Sequence, residues 1–310
     1  MKSVIINEND AGQRVDKFLT KYLNMPQGLM YKAIRKKRIK VNGKRTEISY
    51  RLVSGDKVDM YINDEFFEQT EYNDSYRNLE PRLNIVYEDD NILLMDKAPG
   101  MIVHDDDSEK VNTLLNHMKA YLYRNGEYHP DEENSFAPAL CNRIDRNTGG
   151  IVIAAKNAAA LKVINEKIKS REIKKFYLCL VSGHLEEKSG ALRGYLVKNT
   201  EQNRVYIHDE PIPGGKSIAT KYRVLREGEL TSLVEVELLT GRTHQIRAHF
   251  ASIGHPLAGD GKYGTNDFNR RIGMKKQALY SYKIRFEFSD ENILSYLNHR
   301  EFEVKNVPFA

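Results

Sequence analysis

The quartet Arg143-Ile144-Asp145-Arg146 sets one carboxylate between two guanidiniums, and a Thr148-Gly149-Gly150 turn and the apolar run 151–155 follow it. Positive charge beside a carboxylate favours its anionic form, the form an Asp needs in order to act as a nucleophile or base. The run after the turn is rich in β-branched residues and reads as a buried strand, so Asp145 is expected at a sheet edge. Taken alone, such a quartet is more often a surface ion-pair ladder. Other chemistries find less support. His244, His249 and His255 lack the HExxH spacing of a zinc helix, and no Cys pairs with them. Gly214-Gly215-Lys216 lacks the remaining spacing of a phosphate loop and reads as a hairpin turn.

The elements that must hold Asp145 fall into two parts of opposite charge. Residues 1–62 contain 14 Lys/Arg against 6 Asp/Glu, and the rest of the chain 34 against 37. A basic segment on a neutral-to-acidic body points to a module that meets a polyanion. In that segment helices are expected over 12–24 (Val15, Phe18, Leu19, Tyr22 and Leu23 on one face) and over 27–38. The second buries Leu29, Met30, Ala33 and Ile34 and exposes Lys32, Arg35, Lys36, Lys37 and Arg38. A strand at 39–41, an Asn42-Gly43 hairpin turn and a strand over 58–62 complete it. Residues 63–80 are acidic, polar and without periodicity, and are expected to be a linker.

The second domain, 81–310, opens with strands at 83–87 and 92–95, then a tight turn at 98–100. Helices are expected over 108–122 and 157–172, and a strand over 174–181. Alternating strands fill 190–238, and a helix opens within 239–250. Strands dominate, so the class is α+β with a mixed or antiparallel sheet and flanking helices. Two cysteines, Cys141 and Cys179, suggest a reducing compartment without a disulfide framework. With no apolar run of spanning length and no signal-peptide core, a soluble cytoplasmic protein is expected.

Four segments in order carry a resemblance: DKAPGMIVH (96–104), NRIDRNTGGIVIAAK (142–156), KKFYLCLVSG (174–183) and LTGRTHQIRAHFASIGHPLAGDGKYG (239–264). Together they are similar to the RluA-type family of RNA pseudouridine synthases. The N-terminal 12–62 resembles the S-four-type RNA-binding module named for a small-subunit ribosomal protein. This chain departs from the family in having Asn142 for its usual His and Gly149 for its usual Ser, and in Gln27-Gly28 where many modules start their second helix with Ser-Arg.

The resemblance implies a pseudouridine-synthase catalytic fold with a small α/β RNA-binding domain at its N-terminus. It implies a reaction in which the bond from ribose to the uracil nitrogen is cleaved, the base turned and rejoined through carbon. Such a rearrangement calls for no cofactor, nucleotide or metal. It makes Asp145 the catalytic carboxylate, Arg247 the arginine that pairs with it, and Tyr177 the ring against uracil, its hydroxyl helping to remove the carbon-bound proton. Arg143 would fill the gap left by a flipped base, since the glycosidic bond is out of reach in a stacked uridine. Lys97, Arg242, His244 and Gln245 are expected to contact RNA or support the site, and Lys32, Arg35, Lys36 and Arg38 to meet phosphates. The expected partner is structured RNA, large-subunit ribosomal RNA ahead of transfer RNA, acted on by a monomer. Two other readings compete: an idle RNA-binding or ribosome-assembly factor, against which intact Asp145, Tyr177 and Arg247 argue, and a glycosidase, which lacks a second acid near Asp145 in sequence.

Overall fold

The structure, a computed structural model, describes residues 1–68 and 74–310; residues 69–73, part of the expected acidic linker, lie outside the described residues. The basic segment builds β1 (Lys2–Ile5), α1 (Val15–Tyr22), α2 (Gln27–Arg35), β2 (Ile39–Val41), β3 (Lys44–Arg45) and β4 (Lys57–Met60). Its antiparallel sheet runs β1-β4-β2-β3. Asn42 and Gly43 both have positive φ, as a two-residue hairpin turn of the favoured type requires. Val15, Phe18, Leu19, Met30 and Ile34 close a core against Ile39, Val58 and Met60.

Both helices are shorter than their periodicity predicts. α2 stops at Arg35 because Lys37 turns left-handed (φ 59°) and the Arg38 amide returns to Ala33 O at 2.9 Å. Lys36, Lys37 and Arg38 therefore cluster beyond the C-terminal end of α2, where the helix dipole favours cations. Leu29, expected inside, is 46% exposed. It lies at the margin of the Met30–Ala33–Ile34 stripe rather than on it.

The larger body contains β5 (Ile85–Glu88), β6 (Ile92–Lys97), α3 (Leu114–Arg124), β7 (Ala139–Leu140), β8 (Gly149–Ala155), α4 (Ala158–Lys169) and β9 (Ile173–Ser182). After these come β10 (Ser189–Asn199), β11 (Arg204–His208), β12 (Lys216–Glu227), β13 (Thr231–Leu238), α5 (Gln245–Ser252), α6 (Asn266–Arg271), β14 (Leu279–Phe286) and β15 (Glu301–Glu303). The main sheet runs β11-β10-β12-β13-β9-β14-β8-β6-β5, with β7 beside β8 and β15 beside β14. It is mixed: β14 pairs with β8 in parallel and with β9 antiparallel. The fold is α+β.

Strand β8 is buried on both faces, which explains its unbroken apolar run. Ile151, Ile153 and Ala155 pack with Ile164 of α4, while Val152 and Ala154 pack with Leu114 and Met118 of α3. Helix α3 starts later than the predicted 108, because residues 105–112 turn around Asp106. Its Oδ1 accepts from the Ser108 amide at 2.8 Å and the Glu109 amide at 3.1 Å, and Thr113 then caps the helix. The stretch 63–80, expected to be featureless, carries short 3₁₀ turns at Asp64–Phe67 and Asp74–Asn78. Phe67 packs on the first core and Tyr76 enters the core beneath α3.

Polar contacts join the two parts. Glu133 accepts from Asn7 Nδ2 and Asn9 Nδ2, and buried Asp10 accepts from Ser135 and from Asn134 Nδ2. Among the described residues no helix is long and apolar enough to cross a membrane.

Candidate active site

The turn that carries Asp145 is held from below. Thr148 N donates to Asp145 O at 3.0 Å, and Arg146 O accepts from Gly100 N at 2.8 Å and Lys97 Nζ at 2.9 Å. Lys97 Nζ also donates to Met101 O (2.7 Å) and Ala98 O (3.1 Å), and the residue is 1% exposed. Burial pushes its ammonium down to about 8, opposed by the charges of Asp145 and Asp96. Lys97 therefore cannot reach RNA; it ties the 97–101 turn to the Asp145 turn.

Two glycines bring the next strand close. A Cβ on Gly150 (φ 110°) would lie 2.2 Å from Ser281 O, and one on Gly149 2.3 Å from the Tyr280 ring. Gly149, the departure from the family's Ser, makes room for Tyr280, whose hydroxyl donates to Asp96 at 2.6 Å.

The guanidiniums adjacent in sequence do not pair with Asp145. Arg146 turns to Gly100 O, and Arg143 is exposed at the rim. Asp145 Oδ2 instead accepts from Arg247 Nη1 at 2.9 Å, on helix α5. Arg247 is itself gripped by Asp260, which takes Nε at 2.7 Å and Nη2 at 3.0 Å. Asp260 is fully buried and also accepts from the amides of Lys262 and Tyr263. Burial raises the Asp260 carboxyl, but the Arg247 guanidinium overrides this and holds it below the usual carboxylate range. Arg247 is thus a buried guanidinium with one edge fixed and one nitrogen offered to Asp145.

Helix α5 begins later than predicted. His244 is left-handed (φ 54°) and helical geometry starts at Gln245. A non-glycine residue held there costs on the order of 1–3 kcal/mol, so surrounding contacts must impose it. The cause is Gln245, 2% exposed: its amide donates to Ala219 O and Thr220 Oγ1, and its carbonyl accepts from Thr240 Oγ1 and Arg242 N. Gln245 therefore staples the 240–244 loop to β12 and does not face the cleft opening.

The loop turns the His244 ring toward Asp145, Nε2 lying 3.7 Å from Oδ2. Tyr263 OH accepts from Val205 N, which leaves its own hydrogen for His244 Nδ1 at 2.9 Å. That assigns the ring proton to Nε2, facing the carboxylate. Burial pushes the His244 imidazolium down, with Asp145 opposing, so the ring is neutral at physiological pH. Tyr263 lies under Arg247, with Cζ 5.2 Å from the ring centre.

These groups line an open cleft of about 560 Å³ whose walls include Asp145, Tyr177, Arg143, Arg242, His244 and Lys175. Its size suits a small-molecule or single-nucleotide site. Tyr177 lies on β9 and is 6% exposed. Burial raises its phenol to about 12, a hydrogen bond with Ser281 working against the rise and the charge of Asp145 adding to it. Arg242 is exposed at the rim. Asn142, buried where the family has His, accepts from Ile153 N at 2.8 Å through Oδ1 and so fixes the approach to β8. Burial pushes the Cys141 thiol up to about 12, away from its thiolate form. Asp260, Tyr263 and Lys175 fall within the family-like segments, yet the sequence suggests no role for them. The one available signal for Asp260 is a carboxylate directly after the apolar Leu257-Ala258-Gly259.

Residues 91–252 match the family model described as RNA pseudouridylate synthase. The chain belongs to that family. It is 31% identical to the ribosomal large subunit pseudouridine synthase C of Vibrio parahaemolyticus, over 92% of this chain and 88% of the relative. An uncharacterized RNA pseudouridine synthase of Mycoplasma genitalium is also 31% identical, over 98% and 96% of the two chains. Among solved structures, human RNA pseudouridylate synthase domain containing 1 is similar at a TM-score of 0.54 and 26% identity, covering 69% of this chain and 84% of that one. As a pseudouridine synthase the chain is an isomerase of uridine in RNA. The matched segment ends at 252, so it holds Asp145, Tyr177 and Arg247, while Asp260 lies just beyond it.

Proposed function

We propose that this chain converts uridine to pseudouridine in large-subunit ribosomal RNA, with Asp145 as its catalytic carboxylate. Support for the substrate comes from relatives such as that of Vibrio parahaemolyticus, named for the large ribosomal subunit and matched over 88% of its length. The observation that carries the role of Asp145 is its carboxylate 2.9 Å from Arg247, on the wall of a cleft shared with Tyr177.

Arg247, fixed by Asp260, orients the carboxylate toward a uridine swung out of its helix. Arg143, exposed at the rim, occupies the space the base vacates. Tyr177 packs on the uracil face. Its phenol stays protonated at neutral pH, so it takes the carbon-5 proton only as a relay that passes its own hydroxyl proton to water in the open cleft. Neutral His244 turns Nε2 toward Asp145 at 3.7 Å, close enough to shape the carboxylate's surroundings but not to bond it. Lys32, Arg35, Lys36 and Arg38 hold the RNA through its phosphates.

The test is tritium release from RNA carrying carbon-5-labelled uridine. Asp145→Ala is expected to release none while binding RNA as tightly as the parent; release at the parental rate rejects the assignment. Chemical mapping of pseudouridine in ribosomal and transfer RNA, with and without this protein, decides the substrate.

A further inference from the structure

Lys175 differs from most lysines set into this body; Lys119, also half-buried, has among the described residues only the Tyr76 ring, 5.5 Å away. Lys97 has three carbonyl acceptors, Lys156 has Glu88 and Glu127, and Lys167 has Glu172 and Asp290. Lys174, next in sequence, faces the other side of β9 and lies 3.7 Å from Glu287. Lys175 lines the Asp145 cleft and has no acceptor among the described residues. A half-buried lysine that lines a cleft and has no counter-charge is a site for an anion from outside.

Its position says which anion. Lys175 and Tyr177 are two apart on one strand, so they share a face at about 6.5–7 Å. Lys175 is thus beside the ring proposed to hold the base. A nucleotide with its base against Tyr177 would carry a backbone phosphate within reach of that position.

We propose that Lys175 is a phosphate anchor: it binds a backbone phosphate of the nucleotide whose base occupies the cleft. This rests on the uridine-isomerising reading given above. The anchor has a mechanical purpose in that reaction. Once the bond between base and ribose is cut, contacts to the base no longer hold the sugar, and a gripped phosphate keeps the sugar carbon in place while the base turns.

The experiment is a salt titration of binding to an unmodified transcript of large-subunit ribosomal RNA, paired with single-turnover tritium release at saturating RNA. Lys175→Gln and Lys175→Met are expected to weaken binding about five- to tenfold at low salt. Both should reduce the slope of log affinity against log salt by about 0.7–0.9, the value of one neutralised phosphate. Both should also slow the saturated single-turnover rate several-fold, because the sugar is no longer held while the base turns, whereas Lys175→Arg retains affinity, slope and rate. Lys162→Gln, on the exposed face of α4, controls for bulk charge. An unchanged slope overturns the anchor, and so does a fall in the saturated rate with affinity intact, which would put the ammonium on the base. If the parent forms no pseudouridine but the slope still falls, the uridine reading fails while the phosphate contact stands.

Discussion

Replacing Asp260 by Asn tests whether a fully buried residue governs the carboxylate proposed to do the chemistry. Asp260 takes four donors: Arg247 Nε (2.7 Å), Arg247 Nη2 (3.0 Å), Lys262 N (2.8 Å) and Tyr263 N (3.1 Å). An amide replaces one oxygen with a donor, so either way round it sets N–H against N–H. It also strips Arg247 of its closest counter-charge. Breaking a buried ion pair costs about 3–5 kcal/mol, and since Arg247 keeps Asp145 the lower end, about 3 kcal/mol, applies. At about 2–4 °C per kcal/mol, the melting temperature should fall by about 6–12 °C. Arg247 then no longer holds Asp145 in one orientation, and the single-turnover rate should fall about 100-fold, as for loss of one preorganised hydrogen bond. RNA affinity should change less than about twofold, because Asp260 is 0% exposed.

The acid limb gives an independent reading. The Asp260 carboxyl is held below its ordinary 3.8, so its contribution is complete above that value and is lost as pH falls through the depressed one. In Asp260→Asn that part of the acid limb should be missing. Tritium release and thermal melts on one preparation measure both effects. A lowered melting temperature with a rate within about threefold of the parent refutes the coupling of Asp260 to the chemistry. Equal losses of rate and RNA affinity refute it in the other direction, making Arg247 an RNA contact.

Three further outcomes are expected. Gly150→Ala should destabilise by at least about 3 kcal/mol, since its Cβ would meet Ser281 O at 2.2 Å; Gly12→Ala, also at positive φ but in open space, should cost only about 1 kcal/mol. Equal melting shifts would disprove the close approach of β8 and β14. Burial pushes His249, bonded to Thr220 Oγ1, down to about 4, so the native state resists a proton the unfolded chain accepts below about 6.5. Stability should be full above that value and decline by up to about 3 kcal/mol as pH falls to about 4, and His249→Gln should flatten that decline in denaturant melts. Changing Lys32, Arg35, Lys36 and Arg38 together to Gln should lower the salt slope of RNA binding by about 0.7–0.9 for each phosphate these side chains neutralise, with the saturated rate unchanged. An identical slope would give that face another purpose.

Periodicity and turn chemistry are local, and what depends on them was legible in the sequence. The Val15–Phe18–Leu19 stripe, the Asn42-Gly43 hairpin and the doubly buried strand 149–155 follow from spacings of 3.6 and 2 and from which residues tolerate positive φ. The ordered segments also named Asp145, Tyr177 and Arg247 together. Whether a charge lies inside or outside depends on what arrives from elsewhere in the chain, and there the sequence was silent or misleading. Asp145 meets Arg247, 102 positions away, and not its neighbours Arg143 and Arg146. Lys97 and Gln245, expected to contact RNA or to support the site, are buried because carbonyls from distant parts of the chain converge on them. Asp260 matters only because the fold seats it behind Arg247, and His244 faces the carboxylate only because Gln245 holds its loop left-handed. Burying a charge requires a counter-charge or a set of dipoles at hydrogen-bond distance, and no spacing along the chain encodes that meeting.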